Sequence, residues 1–209
     1  WKVDFPYEIR KTGYIKGYLR RFYQNSIDHR GTSENPGRVV TLIKSPDPDS
    51  KVWGMCYKIA ECDREKVLEH LDLREINGFD RLYVKFYTHS PQTDSNVCNF
   101  EDEQQQEATK MILIYVAHEN NPSFAGNINN LEDIAKQVLN STGKSGTNRE
   151  YVYKLAEAMR IHYPDVIDEH LFELERILLQ HEDSQSKNEE IGNEFSDISN
   201  KNVSVIVQS

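Results

Sequence analysis

The sequence predicts an α+β domain, and three observations carry that prediction. β-Branched and aromatic residues cluster in short runs through the first 117 residues, whereas helical spacing of apolar residues appears mainly after residue 131. Turn-forming Pro, Gly and Asn residues punctuate the runs. Strands followed by helices, with at least one hairpin, fit α+β better than a doubly wound parallel sheet. A chain of 209 residues suffices for one domain that buries roughly 70% of its unfolded surface.

In order along the chain, Thr12–Gln24 is rich in β-favouring aromatics and reads as a strand with a bend at Gly17. Arg38–Ile43 is a short apolar strand entered through Pro36-Gly37. After a turn at Pro46–Asp49, Lys51–Ile59 is expected to answer it as the second arm of a hairpin. Asp63–Leu71 reads as a helix capped by Asp63, with Val67, Leu68 and Leu71 at helical spacing. Arg81–Thr88 alternates as a strand, Pro91–Lys110 is a polar insertion, and Met111–Ala117 reads as a fully buried strand.

Three helices are expected next. Leu131–Asn140 is followed by Gly143, suited to a left-handed C-terminal cap. Thr147-Asn148-Arg149-Glu150 is a capping box that opens a helix ending before Pro164. Asp168–His181 repeats Leu171, Leu174 and Leu178. From Glu182 the chain turns to Ser, Asn, Glu and Lys, so the expected division is a folded domain over 1–181 and a disordered polar tail over 182–209. The chain begins at Trp1 without Met, which leads us to expect a natural N-terminus further upstream.

Composition excludes several function classes. A net charge of −9 argues against nucleic acid as a partner, because phosphate contacts need clustered Lys and Arg. No run approaches the ~20 apolar residues of a membrane span. Cys56, Cys62 and Cys98 form neither a CxxC pair nor a zinc spacing, and reduced thiols in the cytoplasm are the simplest expectation. The seven histidines show no HExxH pattern, so no metal site is expected. Gly143-Lys144-Ser145 ends like a phosphate loop, but Val138 stands where that motif needs its first Gly, and a turn between helices explains it better. A Ser-His-Asp triad assembles only in space and stays open, although no GxSxG elbow is present.

Two places remain as candidate chemistry. Ser26-Ile27-Asp28-His29-Arg30-Gly31 packs ionisable groups into one loop between strand-like segments, the usual location of binding residues. Glu75 follows a predicted helix and precedes the Asn77-Gly78 turn. A carboxylate there meets the negative end of the helix dipole, which fits either a solvated surface Glu or one whose pKa is raised for proton transfer. Local reasoning leaves both open.

The residues then show a family resemblance that runs in one order through residues 1–180. It is carried by Trp1–Tyr7, Gly17-Tyr18-Leu19-Arg20-Arg21-Phe22, Asp28-His29-Arg30-Gly31-Thr32 and Pro36-Gly37-Arg38-Val39-Val40-Thr41-Leu42. Val52-Trp53-Gly54, Arg74-Glu75, Tyr115-Val116-Ala117, Asn121-Pro122, Asn148-Arg149-Glu150-Tyr151 and Asp168-Glu169-His170-Leu171 complete it. The series resembles the ChaC family of glutathione-specific γ-glutamylcyclotransferases.

That resemblance implies a γ-glutamylcyclotransferase-like fold, a mixed sheet or partial barrel with flanking helices. It also implies a lyase reaction in which the γ-glutamyl amine of glutathione attacks its own side-chain carbonyl. The products are 5-oxoproline and Cys-Gly, and no cofactor or metal is used. The family match makes Glu75 the acid/base, with Arg30 and Tyr115 as substrate-binding residues; Asp28 and His29 would shape their loop. Three departures stand out: the family's Tyr-Gly-Ser-Leu loop would precede Trp1, Ile76-Asn77-Gly78-Phe79 stands where Lys-Gly-Gly-Tyr is frequent, and the insertion Pro91–Lys110 is longer than usual. A cyclotransferase for other γ-glutamyl amines, or a non-catalytic binding module on the same scaffold, are the alternatives.

Overall fold

Two long antiparallel arms, both bent at the same level, organise the N-terminal half of the molecule. The computed structural model describes residues 3–74, 79–89, 110–117, 120–126 and 130–201. The first arm is β1 (Ile9–Lys16) and β2 (Tyr18–Ser26), separated by Gly17 at φ 76°. The second is β3 (Gly37–Lys44) and β4 (Lys51–Lys58). β2 pairs with β3 from Tyr18↔Lys44 to Ser26↔Gly37, and β1 pairs with β4 from Lys16↔Lys51 to Ile9↔Lys58. At the bend, the Gly17 N–H donates to Ser50 O at 2.9 Å and the Ser45 N–H donates to Gly17 O at 3.1 Å.

This pairing corrects the expected hairpin between Arg38–Ile43 and Lys51–Ile59. Pro46–Asp49 is a corner within one arm, and the true hairpin tip is the loop from Ile27 to Pro36. Local turn signals mark a change of direction without specifying which strand receives the chain, and register is decided by the long-range partner.

After a 3-10 turn (Glu61–Asp63), α1 (Arg64–Arg74) leads toward β5 (Phe79–Thr88). Asp63, the expected cap, is the last residue of that turn. β5 pairs with β6 (Lys110–Ala117) and, through Gly13↔Thr88 and Tyr14↔Tyr87, with β1. The resulting order is β4-β1-β5-β6, beside the two-stranded β2-β3. The expected insertion at 91–110 lies outside the described residues except for Lys110. β6 is not fully buried as expected: Met111 is 58% exposed and only Val116 and Ala117 are buried. At the end of the strand order it has one ladder partner among the described residues, so apolarity alone overstated its burial.

Helices α2 (Leu131–Asn140), α3 (Asn148–His162) and α4 (Glu169–Lys201) flank the sheets. Asn130 caps α2 by accepting from the Glu132 N–H, and Thr147 caps α3 by accepting from the Glu150 N–H. Gly143 is not a left-handed cap. It sits in β7 (Thr142–Gly143), which pairs with β8 (Gly146–Thr147), and the positive φ of 109° belongs to Gly146. A Cβ on Gly143 would collide with the backbone of His29, so this glycine serves close approach. α4 does not end at His181; residues 182–201, expected as a disordered tail, continue it. Their Glu, Lys, Gln and Ser residues extend a helix already nucleated by the buried Leu171, Leu174 and Leu178. No helix among the described residues is long and apolar enough to cross a membrane.

The main core joins Phe22 to Ile134, Ala135 and Val138 of α2, Val152, Ala156 and Met159 of α3, and Leu171, Leu174 and Leu178 of α4. A smaller cluster of Ile15, Tyr18 and Phe86 lies on the four-stranded sheet and its bend. Polar clamps tie the layers together. Asn148, fully buried, accepts from the Arg38 N–H through Oδ1 and donates to Arg38 O at 2.8 Å through Nδ2. A β-bulge between Arg21 and Gln24 breaks the β2 ladder, and the Phe22 N–H donates instead to His170 Nε2 at 3.2 Å.

Two outcomes are expected. Asn148→Ala should destabilise the fold by about 2–4 kcal/mol in urea unfolding, because two buried backbone groups of Arg38 lose their partner. His170 accepts a hydrogen bond only when neutral at Nε2, and burial, with Arg21 nearby and Asp168 opposing, pulls its pKa from 6.5 to about 4. The unfolded chain therefore takes up the proton first, and this contribution to stability is complete above pH 6.5 and is lost as pH falls toward 4. His170→Gln, which can still accept from Phe22, should show a smaller loss of unfolding free energy between pH 7 and pH 4.5 than the unaltered protein.

Candidate active site

The C-terminal end of α1 is held from two sides. On one side Asp4 accepts from Arg74 Nη1 at 3.1 Å and lies 3.2 Å from His70 Nε2. On the other, Asp72 reaches the β5–β6 pair. Its Oδ1 accepts from the Tyr115 hydroxyl at 2.8 Å and from Arg81 Nε at 2.9 Å, while Oδ2 takes Arg81 Nη2. Arg81 and Tyr115 are directly opposite in the ladder, and the guanidinium lies over the phenol ring at 5.9 Å from its centroid. Bonds from Arg81 and Tyr115 hold the Asp72 carboxyl below its usual pKa. Burial, followed by the bond to Asp72, raises that of the Tyr115 phenol.

Glu75 lies outside the described residues. Its chain neighbour Arg74 closes α1, as expected for a carboxylate following a helix, and Phe79 opens β5 opposite Ala117. Tyr115, two residues before Ala117, thus belongs to the strand pair that the Glu75 segment enters.

Arg30 occupies a different network. Its side chain is 7% exposed, and Nη1 donates to Glu150 Oε2 at 2.7 Å and to Thr147 O at 3.0 Å. The guanidinium lies 5.8 Å from the Tyr151 ring centroid. Loop residues 28–30 dock on the β7–β8 turn: Lys144 N donates to Asp28 O at 3.1 Å and Ser145 N to His29 O at 3.0 Å. The Lys144 ammonium meets the Asp28 carboxylate at 2.5 Å, and His29 Nδ1 lies 3.0 Å from Ser145 Oγ. Asp28 and His29 therefore shape the loop, and Gly143-Lys144-Ser145 supplies the turn that receives it.

Sequence reasoning missed Asp72 and Arg81. Asp72 stands three residues before Glu75 in the sequence, and that proximity was available. Arg81 could be joined to Tyr115 only through the strand register. Among the described residues no group of three or more His, Cys, Asp or Glu side chains is arranged to hold a metal ion.

Comparison with known proteins identifies the family. The family model for ChaC-like proteins matches residues 1–181. The chain is 39% identical over 184 residues to glutathione-specific γ-glutamylcyclotransferase 1 of Danio rerio, covering 86% of this chain and 84% of that protein. It is 38% identical over 173 residues to the Homo sapiens protein of the same name, covering 82% and 70%. A crystal structure of the yeast γ-glutamylcyclotransferase specific to glutathione superposes with a TM-score of 0.72 at 27% identity, covering 83% of this chain and 89% of that one. The curled, half-barrel sheet with flanking helices is thus the γ-glutamylcyclotransferase architecture, and the chain belongs to the ChaC-like family.

Proposed function

We propose that this protein is a glutathione-specific γ-glutamylcyclotransferase, a lyase that converts glutathione to 5-oxoproline and Cys-Gly. The observation that carries the proposal is the extent of the likeness: proteins named for that activity match up to 86% of the chain in sequence and 83% in fold.

The reaction closes a five-membered lactam. The γ-glutamyl α-amino nitrogen attacks the side-chain amide carbonyl, the carbonyl re-forms, and the C–N bond to the cysteine nitrogen breaks. The attacking ammonium loses one proton before attack and a second as the lactam nitrogen forms, and the departing nitrogen takes up two to leave as the Cys-Gly ammonium, so no water is consumed. Glu75 is the proposed proton carrier. The ordinary pKa gap between a Glu and an α-ammonium, ~4.3 against ~8, corresponds to a penalty of about 5 kcal/mol. A raised Glu pKa removes part of it, and the negative end of α1 acts in that direction.

Tyr115 is the proposed ligand for the glutamyl end of the substrate, supported by its tie to the helix that leads into Glu75. Arg30 is the proposed ligand for a glutathione carboxylate. Its Nη1 is held by the Glu150 carboxylate, chemically the same kind of partner. A cytoplasmic setting completes the proposal, supported by the free thiols of Cys56 and Cys62.

Two measurements test these roles. Release of 5-oxoproline from glutathione by Glu75→Gln should fall by about 10²–10⁴-fold in kcat with the fold intact, the usual contribution of a positioned acid/base; equal turnover would remove Glu75 from the mechanism. Release from γ-glutamyl amines but not from glutathione by the unaltered protein would select the cyclotransferase for other γ-glutamyl amines. Arg30→Lys should raise the KM for glutathione by about tenfold while kcat is retained, because a point charge cannot reproduce the planar fork. Reduced thermal stability at unchanged KM would instead assign Arg30 to holding its loop on α3.

A further inference from the structure

We propose that Asp72 is a positioning residue for the cyclisation, acting on the substrate through the hydroxyl of Tyr115. The inference rests on the reading of the chain as a γ-glutamylcyclotransferase with Tyr115 at the substrate. Asp72, Tyr115 and Arg81 form a closed ring of contacts from three elements, α1, β6 and β5. An isolated exposed ion pair between Asp72 and Arg81 would contribute little, since both side chains are more than two-fifths exposed. The third member changes the chemistry.

A phenol has one proton to donate. Tyr115 gives its proton to Asp72 Oδ1, which leaves the phenol oxygen to act as an acceptor, toward the Arg81 guanidinium beside it and toward a donor of the substrate. In the γ-glutamyl end of glutathione the strong donor is the α-ammonium, the group that must be oriented before it loses a proton and attacks. Asp72 therefore fixes Tyr115 in the role of ammonium acceptor and disfavours its use as a donor to the carboxylate beside that ammonium. Arg81 holds Asp72 with two nitrogens, so the carboxylate stays ionised and its orientation is set.

A double-mutant cycle on kcat/KM for 5-oxoproline release tests this. Asp72→Ala should lower kcat/KM by about tenfold, the scale of one charge-assisted hydrogen bond. Tyr115→Phe should lower it by at least as much. In the Tyr115→Phe background, Asp72→Ala should then cost less than about twofold, because the hydroxyl through which it acts is gone. Asp72→Asn, which can still accept from the phenol, should recover part of the loss seen with alanine. Multiplicative losses in the double variant, or equal kcat/KM for Asp72→Ala and the unaltered protein, would overturn the inference while leaving the proposed function standing. No 5-oxoproline release from glutathione by the unaltered protein would overturn both.

Discussion

The bend shared by the two long arms is the constraint on which the rest of the structure depends. Gly17, at φ 76°, turns the first arm in a region where other L residues pay roughly 1–2 kcal/mol. The second arm turns opposite it, and the hydrogen bonds from Gly17 N to Ser50 O and from Ser45 N to Gly17 O carry the pairing past the corner. One hairpin thereby serves two sheets. Its β1–β4 half joins β5 and β6, which carry Arg81 and Tyr115, while its β2–β3 half lies against the helices and presents the Arg30 loop.

The helical layer is attached to that bent hairpin by polar contacts as well as by the apolar core. Arg20 meets Asp168 at 2.8 Å with both side chains mostly buried, and also reaches Trp53 O. Asn148 pairs with the backbone of Arg38, and His170 satisfies the N–H freed by the bulge at Phe22. Each contact places a polar atom where solvent cannot replace the partner, so a shifted register would leave it unsatisfied. Apolar burial drives the layers together with little directional preference, and these clamps select one arrangement.

The candidate site inherits its geometry from the same scheme. β1 positions β5, β5 positions β6, and Arg81 and Tyr115 together receive Asp72 from α1. The helix end that precedes Glu75 is thus joined to the sheet, with Asp4 holding its other side. The proposed cyclisation needs its acid/base fixed relative to the reacting carbonyl, a requirement that rigid flanking elements favour. The Arg30 loop is fixed independently, by Glu150, Thr147 and the β7–β8 turn.

The sequence by itself determined the α+β class, the helices from α1 to the start of α4, the bend at Gly17, the Thr147 cap and the family motifs, because each is written in local spacing or residue type. It also marked Glu75, Arg30 and Tyr115 as candidates through the family resemblance, and identified the 26–31 loop by its unusual density of ionisable groups. Only the tertiary structure decided that β4 returns to β1 rather than to β3, that β6 lies at the end of the strand order, and that Gly143 serves close approach. It alone joined Asp72 to Tyr115 and Arg81, and Arg30 to Glu150, across separations of 43, 9 and 120 residues. The physical reason is the same in each case: strand partners and ion-pair partners are chosen by competition among segments distant in sequence, and local propensity does not record its outcome.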